Sequence, residues 1–310
     1  MATLDRRLLA PRERGLELVR ADDLGGLWSL RLPLAYPRTR SVNAYLLDAT
    51  TLVDCGSAVG AGWTALDAAL RQTGTRPDQI RTLVLSHLHA DHASLAGEFV
   101  ERTGCELLRL EGPDTNIDRL REPTIDRAER AALAREHGIP ADELEVMIDV
   151  PLADDGLQPR PPADALLRAG DTIAGWKVVD ATGHSPNQLA LFDGRRLIGA
   201  DAAYAGPAPY LEWGHTPDPI AEYLATLDRL AALVPTRYLP GHGPPDDDPP
   251  ERFKAARQAL AEMIEAVQAA GEGSAWEITS RVTGDDPDPE PKQTWIARVL
   301  CVLEHRRGAR

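Results

Sequence analysis

Ser86-His87-Leu88-His89-Ala90-Asp91-His92 follows directly on the apolar run Thr82-Leu83-Val84-Leu85, so a strand hands the chain to a loop crowded with metal-ligating side chains. Side chains alternate along an extended segment, which puts His87 and His89 on one side. The adjacent Asp91 and His92 can then turn toward a second point, so the segment can serve one ion or two. Neutral imidazole nitrogens suit zinc and similar ions, and a carboxylate adds negative charge and tolerance for harder metals. The strand-then-loop setting is the one this chemistry needs, which sets the H-x-H-x-D-H string apart from a chance cluster of histidines.

The composition is that of an ordinary globular protein, with 43% hydrophobic and 26% charged residues over 310 positions. That length accommodates one large domain, or a domain of about 250 residues with a small appendage. The formal net charge of -14 repels a phosphate backbone, so nucleic-acid binding is not expected. Met1 to Arg7 lead into no apolar run long enough for a signal peptide, and nothing later reaches the roughly 18 apolar residues of a membrane span. A cytoplasmic protein with no membrane partner is expected. Cys55, Cys105 and Cys301 are too few and too scattered for a disulfide framework, and each sits among apolar neighbours as a buried thiol would.

Patterning predicts alternating strands and helices. Gly26 to Leu32, Ser41 to Leu47 and Thr51 to Asp54 read as strands, Gly62 to Arg71 as a helix with Leu66, Ala69 and Leu70 on one face, and Ala93 to Arg102 as a second helix. A sheet covered by helices, an α/β layer architecture, follows. The segment 111–169 breaks the pattern with a helix over Thr124 to His137 and a polar, proline-rich stretch from Asp154 to Pro162. It is read as an insertion, either a lid or a buttress. Strands return at Trp176 to Val179 and Gln188 to Phe192, and Asp193-Gly194 predicts a hairpin into Arg196 to Gly199. Only helices follow Pro249, over Glu251 to Ala269, Ser274 to Val282 and Gln293 to Glu304, with Ser274 and Glu277 forming a capping box. The expected division is a catalytic domain over 1–248 and a helical region over 249–310.

Four further segments end strands with a lone ligand-type residue: Asp54 in Val53-Asp54-Cys55-Gly56, His184 in Thr182-Gly183-His184-Ser185, Asp201 in Gly199-Ala200-Asp201, and His242 in Pro240-Gly241-His242-Gly243. In this order, with the histidine cluster, they resemble the signature segments of the metallo-β-lactamase-fold superfamily of metallohydrolases, over about residues 25–248. The resemblance implies an αββα sandwich with a dinuclear site, usually zinc, with iron or manganese as alternatives. By the same resemblance His87, His89 and His184 hold the first ion, Asp91, His92 and His242 the second, and Asp201 bridges them. Asp54 orients the ligand loop from behind, as metal-bound histidines commonly require.

Two divalent cations outweigh Asp91, Asp201 and one hydroxide, and the resulting positive site favours a hydroxide at neutral pH and polarises a carbonyl oxygen. The expected function is hydrolysis of a small-molecule lactone or acyl thioester by a metal-bridging hydroxide. Phosphodiester or nucleic-acid cleavage on the same fold, or a noncatalytic metal-binding role, are the alternatives. Asp91 and Tyr204 are the expected catalytic residues. Tyr204 lies three residues after Asp201, an offset that resembles the acyl-homoserine-lactonase branch, where the phenol polarises the lactone carbonyl. The separation of His92 from His184 is much longer than in that branch. Residues 249–310 are similar in length to the helical or winged-helix-like tails of glyoxalase II relatives, but carry nine Lys and Arg against ten Asp and Glu. That is a poor footprint for phosphates, so a channel wall or a homodimer contact is the expectation. Tyr210, Trp213 and His215 are candidate pocket residues, while His137 and His305, beside charged neighbours in helical segments, read as exposed.

Overall fold

The computed structural model describes residues 16–35, 39–112, 132, 135–140, 162–204, 206, 208–213, 216–284 and 289–308. Seven strands, β1 (Arg20–Asp23), β2 (Trp28–Pro33), β3 (Ser41–Leu46), β4 (Thr51–Val53), β5 (Thr82–Leu85), β6 (Glu106–Leu110) and β7 (Ala165–Leu167), form one sheet in chain order. Pairing is antiparallel from β1 to β4 and parallel from β4 to β7. The last five strands, β8 (Thr172–Ile173), β9 (Trp176–Asp180), β10 (Leu189–Phe192), β11 (Arg196–Ala200) and β12 (Arg237–Pro240), follow the order β12-β11-β10-β9-β8 in a second sheet.

The chain divides into two compact units: residues 1–111, 152–179 and 240–244, and residues 112–151, 180–239 and 245–310. In the first, the parallel strands need helical crossovers, supplied by α1 (Gly62–Gln72), α2 (Ala90–Ala93) and α3 (Ala96–Thr103). Helix α1 buries Ala65, Leu66, Ala69 and Leu70, the face predicted from the 3.6-residue period. Leu66 and Leu70 are fully buried, each contributing about 1.5–3 kcal/mol by leaving water. They pack with Leu30, Leu52, Leu83, Phe99 and Leu107 in one apolar cluster.

The second helix expected over Ala93 to Arg102 is two helices, broken at Ser94 and Leu95. Leu95 N donates to Gly56 O at 3.3 Å in place of a helical acceptor, and the hydroxyl of Ser94 accepts from Ala58 N at 2.8 Å, so tertiary bonds mark the break. Most of the expected insertion lies outside the described residues. Its far end does not belong to an excursion, because Ala165–Leu167 pairs with β6 as Leu108↔Ala165 and Leu110↔Leu167, and Asp164 accepts from Leu107 N at 2.8 Å.

The second unit holds the β10–β11 hairpin, closed by Asp193, whose carboxylate accepts from the backbone nitrogens of Arg195 and Arg196 at 2.9 and 2.6 Å. Its helices are α4 (Pro219–Ala231), α5 (Pro249–Ala269), α6 (Ala275–Thr283) and α7 (Pro289–Gly308). Asp218 and Asp248 cap α4 and α5, and Ser274 with Glu277 forms the predicted capping box of α6. Among the described residues of 249–310 there are three helices and no strand, and the expected boundary at 248 falls inside this unit. No helix of the described residues is long and apolar enough to cross a membrane.

Candidate metal centre

Within the first unit the ligand string bends where it leaves β5. His89 is extended at φ -63° and ψ 148° and precedes α2, whose first turn carries Asp91 and His92. The alternation argument therefore applies only as far as His89, and one helical turn aims the next two residues. His87 and His92 are buried, with ring centroids 4.2 Å apart, and His89 lies edge-on to His87 at 4.6 Å. His242 arrives on the turn after β12, its ring 5.3 Å from that of His92. Asn43, 3% exposed in the middle of β3, holds this turn: its Nδ2 donates to Pro240 O at 2.9 Å and Gly243 O at 2.7 Å, and its backbone nitrogen donates to Gly241 O at 2.7 Å. Tyr45 adds a phenol bond to Pro240 O at 2.6 Å.

Hydrogen bonds settle which ring nitrogen is available for an ion. Ser86 Oγ gives its proton to Asp54 Oδ2 at 2.7 Å and lies 3.0 Å from His87 Nδ1, so that nitrogen is the donor of the pair. His92 Nδ1 donates to Asp54 Oδ2 at 2.8 Å, and His242 Nδ1 donates to the Ser41 carbonyl at 2.9 Å. A neutral ring with its proton on Nδ1 offers its lone pair at Nε2. His242 Nε2 lies 3.1 Å and His92 Nε2 3.8 Å from Asp91 Oδ2. Two ligands at tetrahedral angles on one zinc ion stand about 3.3 Å apart, and the ligand atoms of Asp91, His92 and His242 all lie within 4.8 Å of one another. The donor set fits a divalent ion.

Asp54 is 2% exposed and adopts φ +60°, a left-handed conformation that aspartate tolerates better than most residues. From there its two oxygens serve Ser86 N, Ser86 Oγ and His92 Nδ1.

The second unit presents the other predicted pair. His184 Nε2 lies 3.7 Å from Asp201 Oδ2, and His184 Nδ1 donates to Tyr210 O at 2.7 Å, leading to the same tautomer as in the other three rings. Gly183, at φ +132° and next to His184, packs closely against the backbone of Tyr223 in α4. Asp201 follows Ala200, whose φ of +44° is a strained value for alanine, costing about 1–2 kcal/mol. Its turn is clamped by Tyr238, whose phenol accepts from Ala203 N at 3.0 Å, and by Arg252 Nε on Ala203 O at 2.9 Å. Burial pushes the Tyr238 phenol up to about 12, so it stays protonated and donates to Ala200 O at 3.4 Å.

The pocket candidates fare differently. Tyr204 is half-buried, with its ring packed where a side chain on Gly206 would stand. Tyr210 contributes its carbonyl to His184, and Trp213 packs edge-on against His137 at 5.7 Å. His215 lies outside the described residues. His137 is buried rather than exposed, because its ring covers Trp213, and His305 is half-buried on Asp218 at 2.9 Å. Ser86, Ser41 and Asn43 were not singled out in the sequence. Asn43 left a trace as a polar residue in a β-prone run, whereas Ser41 acts through its carbonyl and left none. All three cysteines are buried, and none is in a disulfide.

A model of the Metallo-beta-lactamase superfamily matches residues 37–242. The Bacillus subtilis (strain 168) protein YqjP, described as a "Probable metallo-hydrolase", is 29% identical over 234 residues, covering 70% of this chain and 71% of its own length. A crystal structure of a metallo-beta-lactamase family protein from Thermus thermophilus is similar at a TM-score of 0.78 and 27% identity, over 92% of this chain and 94% of that one. A beta-lactamase domain protein from Burkholderia ambifaria shares the fold at a TM-score of 0.72 and 23% identity, over 93% and 88% of the two chains. With a family model matching two thirds of its length and the candidate ligand residues at the strand ends described above, the chain belongs to the metallo-beta-lactamase superfamily.

Proposed function

We propose that this protein is a dinuclear metal-dependent hydrolase that opens a carbonyl ester-type bond, a lactone or an acyl thioester, in a small molecule. The observation that carries the reading is the common tautomer of His87, His92, His184 and His242, each with Nδ1 engaged and its lone pair at Nε2. His87, His89 and His184 would hold one ion and Asp91, His92 and His242 the other, with Asp201 shared between them. Two bound divalent cations would supply a hydroxide at neutral pH and draw electron density from the carbonyl. Zinc is the expected metal, with iron or manganese as alternatives.

The chain's own residues supply orientation. Asp54 fixes His92, the Ser41 and Tyr210 carbonyls fix His242 and His184, and Tyr204 donates its phenol proton to the substrate carbonyl oxygen. Among the described residues, Tyr210 and Trp213 are the candidates to border the substrate. The net charge of -14 favours a small substrate over a nucleic acid.

Metal-loaded protein assayed against a panel of lactones and of acyl-CoA and glutathione thioesters tests the reading. Turnover of at least one class, abolished by chelation, is expected. Two bound ions with no turnover of any member would contradict it.

A further inference from the structure

The second unit holds an arrangement that connects its last helix to a metal-ligand histidine. Arg298, on α7, forks onto two successive carbonyls: Nε donates to Pro209 O at 3.1 Å and Nη2 to Ala208 O at 3.1 Å. The next carbonyl along the chain, Tyr210 O, accepts from His184 Nδ1 at 2.7 Å, and Glu212 N closes back on His184 O at 3.0 Å. The segment 208–212 is therefore held by α7 on one side and holds His184 on the other. Trp295, one turn earlier on α7, has its ring centroid 5.2 Å from the Arg298 guanidinium, which limits the directions the fork can take. Further along α7, His305 pairs with Asp218 at 2.9 Å, so the helix bonds the chain at 208–209 and again at Asp218.

A planar guanidinium bonded to two consecutive carbonyls fixes the peptide planes that lead into Tyr210. Those planes set where the Tyr210 carbonyl points. We propose that Arg298 is a positioning residue for the metal centre: through the 208–210 backbone it holds the carbonyl that keeps His184 in its Nδ1-protonated, Nε2-ligating form. The inference rests on the dinuclear reading above. It gives the C-terminal helix a part in metal binding, where a merely docked helix would contribute only to stability. Partners that orient a ligating histidine typically change metal affinity about 10–100-fold when removed.

The test is stepwise uptake of cobalt(II) by the metal-stripped full chain, followed by visible absorption and calorimetry. Arg298→Gln should weaken one of the two uptake steps about 10–100-fold and leave the other unchanged. Arg298→Lys, which keeps one donor, should fall between Gln and wild type, and it carries the test if the Gln variant does not fold. Arg307→Gln, which removes an exposed charge from the same helix, should match wild type. His184→Ala should remove the step that Arg298→Gln weakens, and combining the two should add nothing, as expected of residues acting through one interaction. Unchanged uptake in both Arg298 variants, or equal weakening of both steps, overturns the inference while the dinuclear reading stands. A wild-type chain that takes up no cobalt overturns both.

Discussion

His92 Nδ1 lies 2.8 Å from Asp54 Oδ2, both groups buried, and the same carboxylate accepts from Ser86 N and Ser86 Oγ at 2.7 Å each. One side chain thus aligns the end of β5 with the first turn of α2, and with them both halves of the ligand string. Asp54→Ala leaves three buried donors without their acceptor. Asp54→Asn keeps the shape but turns an amide NH2 toward one of those donors. Both variants should bind metal about 10–100-fold more weakly than wild type, read by competition with a chromophoric chelator. Wild-type affinity in Asp54→Asn would show that the carboxylate does not orient His92.

A side chain at Gly183 has nowhere to go. Its Cβ would lie 2.7 Å from Tyr223 Cα and 2.9 Å from Tyr223 N, both backbone atoms of α4. Gly183→Ala should destabilise by about 1–3 kcal/mol from overpacking, before any cost of its positive φ. At Gly194 the space is open, so Gly194→Ala should cost only about 1 kcal/mol of backbone strain. Urea unfolding of the two variants separates the effects, and equal losses would count against the close approach of α4.

Acid should weaken the fold through His137. Burial lowers its pKa below the ordinary 6.5, Arg307 lowers it further, and Glu136 opposes them. Below the unfolded value the unfolded chain binds more protons than the native one, so stability rises with pH there. The contribution is present above about 6.5 and is lost as pH falls through the lower folded value. His137→Phe keeps a ring on Trp213 and should flatten the dependence of the urea midpoint between about pH 5 and pH 7. An unaltered slope in that variant would assign the acid sensitivity elsewhere.

Val234, three residues beyond the last residue of α4, is 77% exposed and sits at φ +52°, a conformation that suits glycine and penalises a β-branched side chain. Val234→Gly should raise stability by about 1 kcal/mol, measured as a higher thermal midpoint. A fall would mean that the valine makes a compensating contact.

Strong local patterns carried the elements that the sequence made legible. The α1 face, the Ser274 capping box and the Asp193 hairpin each depend on residues near one another in the chain, and each lies where patterning predicts. Strand β7 was invisible because three residues, Ala165–Leu167, are too short to show a period, and their pairing with β6 comes from far along the chain. The break between α2 and α3 was hidden for a related reason, since Ser94 and Leu95 bond to residues near position 57. Ligand-type side chains were readable because histidine and aspartate at strand ends announce themselves. What aims them was not: the Ser41 and Tyr210 carbonyls, like the backbone acceptors of Arg298, are peptide groups present in any sequence.

The proposed dinuclear centre is tested most directly by the metal content of the full chain after loading with zinc and dialysis against metal-free buffer. The account predicts two zinc ions per chain, falling to one in His242→Ala. One ion or none in the wild-type protein would contradict it.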